Sequence, residues 1–385
     1  TCSAGLGAYQ SKSRGRHSEP NNVSHYYWLM VSTHAEFLGR AIMKISEPVQ
    51  FKGVPGSPYT RKMLAYLRFR HIRYQLLIGD QVNNSELPEP KVNLLPTFFL
   101  PDENNELQAE VDSTPLIRRF EADFDQRRSI PQNPVLGFLN YLIEDYADEW
   151  LTKAMFHYRW YYQADIDMAG TILPRWTGIQ SPEEELQQRR AYIAERQISR
   201  LYVVGSNDTT APVIEASYKR FLHIFDGMLQ RYPFVFGARP SSADFGIYAQ
   251  LTQLAKFDPT PAAICMQEAP RIHAWTDVMD DLSGNSANET DWLNLQDSPD
   301  HLKELLSEIG RVYAPALLAN AKALQAGQET MTATIDGQPW EQPTFPYQAK
   351  CLQWINEEYQ RLGNNGQGQV DALIENTGCE TMIFK

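Results

Sequence analysis

Ser57-Pro58-Tyr59-Thr60-Arg61-Lys62, which lies shortly after an apolar run at residues 49–54, marks a passage from a strand to a helix. Proline is favoured at the first helical position, where the N–H that it lacks has no intrahelical partner. Ser57 is then the N-cap, because its oxygen accepts a free backbone N–H of the first turn. The predicted helix runs to about residue 70, and its apolar face carries Met63, Leu64 and Leu67.

The start of this helix is a predicted anion site. Unpaired N–H groups and the helix dipole both favour negative charge, so a thiolate or carboxylate is expected beside Ser57. No cysteine lies between Cys2 and Cys265, so the chain has no nucleophilic thiol near this serine. This disfavours a glutaredoxin-like oxidoreductase. Any thiol chemistry here must use a thiol that a ligand brings in.

Composition limits the function classes. The formal charge of −12 and the pI near 5.2 argue against a nucleic-acid-binding surface. The four cysteines have no paired spacing that predicts a metal site or a disulfide framework. No apolar run approaches the roughly 18 residues that span a bilayer, and no signal-peptide centre is present near residue 1. We therefore expect a cytoplasmic protein with no membrane partner and no metal.

The pattern along the 385 residues predicts two domains and an appended piece. Residues 1–42 are a polar leader that includes a packing helix from residue 23. Residues 43–126 alternate strands and helices, and residues 132–300 are helical, with helices at 134–163, 182–200, 211–231, 241–255 and 261–282. The extension at 301–385 is a helix, a hairpin with an Asp336-Gly337 turn and a final helix.

Two further segments carry possible binding chemistry. Pro96 precedes the third strand, so the Leu95–Pro96 bond is either cis or that of an ordinary loop proline. In the cis form it exposes the Leu95 backbone, which can pair with a ligand peptide as an added strand does. Ser113 is the predicted N-cap of the next helix, whose N–H groups suit a carboxylate, and Asp112 suits an ammonium. An N-cap serine is more often structural than ligand-binding.

These motifs together resemble the glutathione S-transferases. The resemblance comprises Ser-Pro-Tyr-x-Arg-Lys after a first strand, Leu-Pro-Thr before a third, Asp-Ser-Thr opening the next helix, and a capping box with Ser241 at N-cap and Asp244 at N3. It spans residues 49–260 and implies an α/β thioredoxin-like N-terminal domain followed by an all-α domain. The resemblance implies a serine-type, bacterial-like member with a C-terminal extension.

The resemblance implies a role in glutathione binding for individual residues of the site. Ser57 matches the family's hydroxyl or cysteine position and would hold the thiolate of glutathione. Leu95 and Pro96 match the cis-proline segment, and Asp112 with Ser113 match the pair that binds the γ-glutamyl group. The family often forms homodimers, and the extension either covers or enlarges that surface. Ser57 as a plain helix cap, with no ligand, is the alternative.

An aromatic stripe on the helix from residue 134 is a candidate second-substrate pocket. Tyr146, Trp150, His157 and Tyr161 recur at steps of four, seven and four. Tyr59 is also assigned to the proposed pocket. Core packing explains such a stripe more often than a pocket does. The neighbouring carboxylates Glu144, Asp145, Asp148 and Glu149 predict a solvated face rather than a metal site.

The sequence thus predicts a glutathione S-transferase-like enzyme that activates glutathione for attack on a small hydrophobic electrophile. The alternative is a non-catalytic protein of the same fold that serves as a binding or scaffold protein.

Overall fold

Four strands form one sheet, β1 (Val49–Lys52), β2 (Tyr74–Leu77), β3 (Thr97–Pro101) and β4 (Leu107–Glu110), with the order β2-β1-β3-β4. The computed structural model describes residues 45–78, 87–295 and 300–384, so the predicted helix from residue 23 lies outside the described residues. β1 pairs parallel with β2 and antiparallel with β3, which in turn pairs antiparallel with β4.

Two helices pack on this sheet, α1 (Pro58–Phe69) between β1 and β2 and α2 (Ser113–Asp123) after β4. The apolar spacing of α1 buries its core face completely, including Met63 and Leu67. Within the sheet, Phe51 stacks on Phe98 with ring centroids 4.5 Å apart. This packing holds the first turn of α1 firmly at one end of the sheet.

From residue 134 to the end of α10 the described chain is helical, apart from short connections. The helices are α3 (Pro134–Tyr146), α4 (Thr152–Tyr161), α5 (Gln163–Thr177), α6 (Glu183–Ile198), α7 (Ala211–Leu229), α8 (Ser242–Leu251), α9 (Pro259–Glu268) and α10 (Pro270–Met279). A π-helical turn, Ala147–Leu151, joins α3 to α4. None of the described helices combines the length and the apolar character needed to cross a bilayer.

The extension contains α11 (Asp300–Glu308), α12 (Ala314–Gln325), the hairpin β5 (Thr330–Ile335) and β6 (Gln338–Pro343), α13 (Pro346–Gln360) and α14 (Gly363–Ile374). α13 and α14 both pack on α3. The hairpin docks through Trp340, which is 1% exposed and lies 5.4 Å from the ring of Trp150. The extension therefore shares one hydrophobic core with the helical part.

The fold class predicted from the sequence is confirmed, and three predicted helix boundaries need correction. Helix α5 runs through the predicted break at 170–178. The predicted helix 261–282 is two helices, because Ala269 leaves helical backbone before Pro270. A further helix, α14, follows the predicted stop at Gly363, which has a φ of +65°.

Candidate functional site

Ser57 occupies the predicted N-cap of α1. Its Oγ accepts a hydrogen bond from the backbone N–H of Thr60 at 3.3 Å and donates to the carbonyl of Leu95 at 3.1 Å. The Leu95–Pro96 peptide bond is cis. The single hydroxyl proton of Ser57 is therefore directed to the backbone of this segment.

Asp112 and Ser113 lie at the start of α2, but their roles differ from the prediction. Asp112 is the N-cap, with Oδ1 accepting from the N–H of Thr114 at 3.3 Å, and its φ of +79° places it in the left-handed region. Ser113 is the first helical residue, so the predicted N-cap is corrected by one position. The Ser113 hydroxyl is available to another partner because the Asp112 carboxylate caps the helix.

That partner is Lys62, a residue for which the sequence predicted no role beyond the motif. Its side chain is fully buried, and Nζ lies 3.1 Å from Ser113 Oγ, 2.7 Å from Glu144 Oε1 and 2.6 Å from Asp148 Oδ2. All three ammonium protons thus have acceptors. Burial alone would lower the pKa of Lys62, but the two adjacent carboxylates outweigh burial and hold its pKa above the usual range.

The carboxyl groups of α3 and the π-helical turn do not form the solvated face predicted from the sequence. Glu144 is fully buried and Asp148 is 7% exposed, because Lys62 of α1 reaches them from the α/β part. This contact spans more than eighty residues of sequence, and no local pattern marks it. The buried ion cluster joins the two parts of the molecule.

A cavity of about 310 Å³ lies beside this cluster. It brings together all four residues predicted to bind glutathione, Leu95, Pro96, Asp112 and Ser113, and it includes Tyr59. Ser57 is not among the described residues that line it, although its hydroxyl contacts Leu95. The π-helical turn and α4 form a second wall with Asp148, Glu149, Thr152, Lys153 and Phe156.

The extension supplies the third wall of the cavity, through Phe345, Tyr347, Gln348 and Trp354. Tyr347 donates its hydroxyl to Asp112 Oδ2 at 2.8 Å, the oxygen expected to meet a ligand ammonium. Gln348 Nε2 lies 3.5 Å from Glu149 Oε2. The extension, which lies outside the family resemblance, therefore occupies part of the site that the resemblance implies.

Burial raises the pKa of several carboxyl groups in the cavity wall. Desolvation, opposed by the hydroxyl of Tyr313, raises the pKa of Asp145 to about 7. Burial, opposed by Lys62, raises the pKa of Asp148 to about 6, and burial with the nearby Asp145 raises that of Glu149 well above its ordinary value. Burial lowers the pKa of Lys153 to about 8.

The predicted aromatic stripe lies away from this cavity. Tyr146, Trp150 and His157 are at most 1% exposed, and the indole of Trp150 donates to Ser217 Oγ at 3.1 Å. His157 lies 2.8 Å from Ser206 Oγ and 3.2 Å from Glu215 Oε1. Tyr161 is 37% exposed and donates to Asp208. Core packing, the alternative explanation of the stripe, accounts for Tyr146 and Trp150. A different face of this helical segment lines the cavity.

Of the predicted second-substrate residues, Tyr59 lines the cavity. Its hydroxyl donates to the carbonyl of Asp148 at 2.8 Å and lies 3.3 Å from Thr152 Oγ1. The capping box at the start of α8 has both of its hydrogen bonds, from the Asp244 N–H to Ser241 Oγ and from the Ser241 N–H to Asp244 Oδ2.

Comparisons with known proteins give structural likenesses only. No family model and no curated protein matches the sequence. The chain is similar to a glutathione transferase from Burkholderia graminis with two glutathione molecules bound per subunit, at 15% identity over 60% of this chain and 83% of that one, with a TM-score of 0.39. A glutathione transferase family member from Pseudomonas fluorescens, with two glutathione bound, is 13% identical over 60% of this chain and 87% of that one, with a TM-score of 0.36.

A maleylacetoacetate isomerase from Anaeromyxobacter dehalogenans is similar at 12% identity over 62% of this chain and 94% of that one, with a TM-score of 0.31. The strand order, the strand directions and the order of the elements along the chain define its fold. By these features the chain has a thioredoxin-like α/β domain followed by a helical domain.

Proposed function

We propose that the cavity beside Asp112 is a glutathione site and that the chain is a glutathione transferase-like enzyme. The observation that carries this proposal is the convergence of Leu95, Pro96, Asp112 and Ser113 on one cavity next to the first turn of α1. The Leu95 backbone would pair with the ligand peptide, and Asp112 would receive the γ-glutamyl ammonium.

In this proposal Ser57 stabilises the thiolate of glutathione rather than attacking the substrate. A thiol with a pKa near 8.5 is only about 3% ionised at pH 7, and lowering its pKa to about 6.5 takes roughly 2.7 kcal/mol. A hydroxyl hydrogen bond to a charged acceptor contributes about 1.5–3 kcal/mol, and a helix N-terminus about 0.3–1 kcal/mol. These two contributions suffice if the Ser57 hydroxyl turns from the Leu95 carbonyl to the sulfur.

The test combines binding and turnover. Calorimetric titration of the full chain with glutathione should show binding, and Ser57→Ala should lower glutathione-dependent turnover with a panel of aryl and alkyl halides by roughly ten- to a hundredfold. Ser199→Ala is the matched control, because the Ser199 hydroxyl is exposed and bonds only to the local carbonyl of Arg196. Unchanged turnover in Ser57→Ala removes this serine from the mechanism.

A non-catalytic binding protein of the same fold is the second candidate. It is favoured by the contact of Tyr347 with Asp112 and by the direction of the Ser57 hydroxyl toward Leu95. Glutathione binding without turnover across the electrophile panel would support this candidate. No binding at millimolar glutathione would support a scaffold whose partner surface lies on the extension.

A further inference from the structure

The cavity wall formed by the π-helical turn and α13, here called the acceptor wall, carries buried hydrogen-bond acceptors. Asp148 Oδ1 and Gln348 Oε1 are buried and have no hydrogen-bond partner among the described residues, and both side chains line the cavity. Asp148 is 7% exposed and Gln348 is 3% exposed, and they come from the π-helical turn and from α13. Buried acceptors without donors are costly, so this wall lacks a donor that a ligand can supply.

The titratable side chains that line the cavity are mostly acidic. Asp112, Asp145, Asp148 and Glu149 line it, whereas Lys153 and Arg200 are the basic residues among its described lining. Lys153 Nζ is directed to the carbonyl of Val204 at 3.2 Å and lies 5.9 Å from the Trp150 and Trp340 rings. The charge of Lys153 therefore points to the base of the hairpin.

The compensating ammonium of Lys62 is already fully used. Its three acceptors, Ser113, Glu144 and Asp148 Oδ2, leave it no proton for Asp148 Oδ1 or for Glu149. With that lysine saturated, burial raises the pKa of Asp148 to about 6 and that of Glu149 well above its ordinary value, so both groups need a further cation beside them to stay ionised. A ligand cation meets that requirement, and burying it beside carboxylates is favourable.

The remaining lining favours an organic cation over a metal ion. Aromatic side chains of the extension line the same cavity, with the Tyr347 ring 5.7 Å from that of Trp354 and 6.4 Å from that of Phe345. Aromatic faces attract organic cations and pack against their apolar parts. Within residues 45–78, 87–295 and 300–384, no three acidic, histidine or cysteine side chains are grouped to hold a metal.

We propose that Asp148, Glu149 and Gln348 bind the ammonium group of an organic amine whose apolar part packs among the aromatic residues of the extension. This inference rests on the proposed function only in taking the same cavity as the ligand site. It names the second ligand as a cationic aryl- or alkylamine, so that an electrophile accepted here carries a positive charge.

The first test needs no variant. Calorimetric titrations of the full chain, without glutathione, compare phenethylammonium with its neutral and anionic analogues, phenethyl alcohol and phenylacetate. Phenethylammonium should bind at least about tenfold more tightly than the alcohol, the value of one charge-assisted hydrogen bond, and phenylacetate more weakly still. Equal affinities, tighter binding of phenylacetate, or no binding of phenethylammonium overturns the proposal.

Two substitutions locate the ammonium. Glu149→Gln should weaken phenethylammonium binding about tenfold without changing that of the alcohol, whereas Glu184→Gln, an exposed residue on α6, should change neither. Gln348→Lys places an ammonium group of the protein itself beside the carboxyl groups. It should therefore abolish phenethylammonium binding and raise the melting temperature. Wild-type affinity in both cavity variants contradicts the proposed position. Glutathione is absent from these titrations, so failure of the glutathione proposal leaves their outcome unaffected.

Discussion

At the residue scale, the buried side chain of Lys62 joins the α/β part to the helical part. It is fully buried with Glu144 and Asp148, and Glu144 Oε2 also accepts from Ser242 on α8 at 2.6 Å. Removing one member of a buried ion cluster is costly because the remaining charges stay buried without a counter-charge. Lys62 thus stabilises the interface that also forms the cavity wall.

Replacing Lys62 with methionine should therefore destabilise the protein strongly. We expect the free energy of unfolding, measured by denaturant titration, to fall by about 3–5 kcal/mol. Lys256→Met is the matched control, since Lys256 pairs at 2.6 Å with Asp277, whose side chain is 72% exposed, and should cost at most about 1 kcal/mol. A similar small loss in both variants would show that the buried cluster contributes little.

The raised pKa of Asp145 predicts how the stability of the protein depends on pH. Burial raises the pKa of Asp145 from its ordinary 3.8 to about 7, so the folded chain holds this proton more tightly than the unfolded chain does. The bound proton therefore stabilises the folded state. This stabilisation is complete below 3.8, the pKa of Asp145 in the unfolded chain, and is lost as the pH rises through about 7. The melting temperature of Asp145→Asn relative to the wild type should therefore increase between about pH 4 and pH 8. A constant difference over that range would contradict the raised pKa.

At the scale of elements, helix α13 closes one side of the cavity and contacts the start of α2. Its Tyr347 hydroxyl donates to the Asp112 oxygen that the proposed γ-glutamyl ammonium would use. Binding of glutathione must then break one hydrogen bond before it forms another. The extension is consequently expected to weaken glutathione binding rather than to assist it.

Tyr347→Phe tests this role of α13. Without the hydroxyl, Asp112 Oδ2 is free, and the affinity for glutathione measured by calorimetry should rise roughly tenfold, about the value of one hydrogen bond to a charged acceptor. Tyr359→Phe on the same helix is the control, because Tyr359 donates to Asp371 at 2.9 Å, away from the cavity. An unchanged or lower affinity in Tyr347→Phe would show that the hydroxyl does not compete.

Elements whose signals are local could be predicted from the sequence. The cap of α1 and the hairpin turn, where Asp336 and Gly337 both have positive φ, depend on residues within a few positions of each other. Helix α5 could not be predicted, because it contains Gly170 and Pro174 and forms through packing against α6. Tertiary contacts there outweigh the local preference for a break.

At the scale of the whole molecule, the extension belongs to the same core as the rest of the chain. The ring of Trp340 packs on Trp150, and its indole N–H lies 3.1 Å from Gln342 Oε1. Trp340→Ala should therefore lower the free energy of unfolding by about 3–5 kcal/mol in one cooperative transition. Tyr192→Ala, at a side chain 66% exposed, should change it by less than about 0.5 kcal/mol. A separate early transition in Trp340→Ala would indicate that the extension unfolds alone.

The candidate site could be predicted only in part, for a reason that applies to the whole chain. The residues near the cis-proline segment and α2 follow short motifs, so their type and order in sequence identify them. Lys62 contacts Glu144, which is 82 residues away in the sequence, and Tyr347 contacts Asp112, which is 235 residues away. No local sequence pattern identifies these partners. The helix face that lines the cavity was therefore not the face that the aromatic spacing predicted.

The three walls of the cavity come from segments far apart in the chain. Binding of a ligand should therefore slow the exchange of backbone amide protons in all three segments. A ligand present at a hundred times its dissociation constant adds about 2.7 kcal/mol to the folded state by mass action. Amide protons in α13, which lie more than two hundred residues from β3, would then exchange with deuterium more slowly whenever a compound fills the space between them. A chemical library can thus be screened for the natural ligand by hydrogen exchange alone, before any reaction is known.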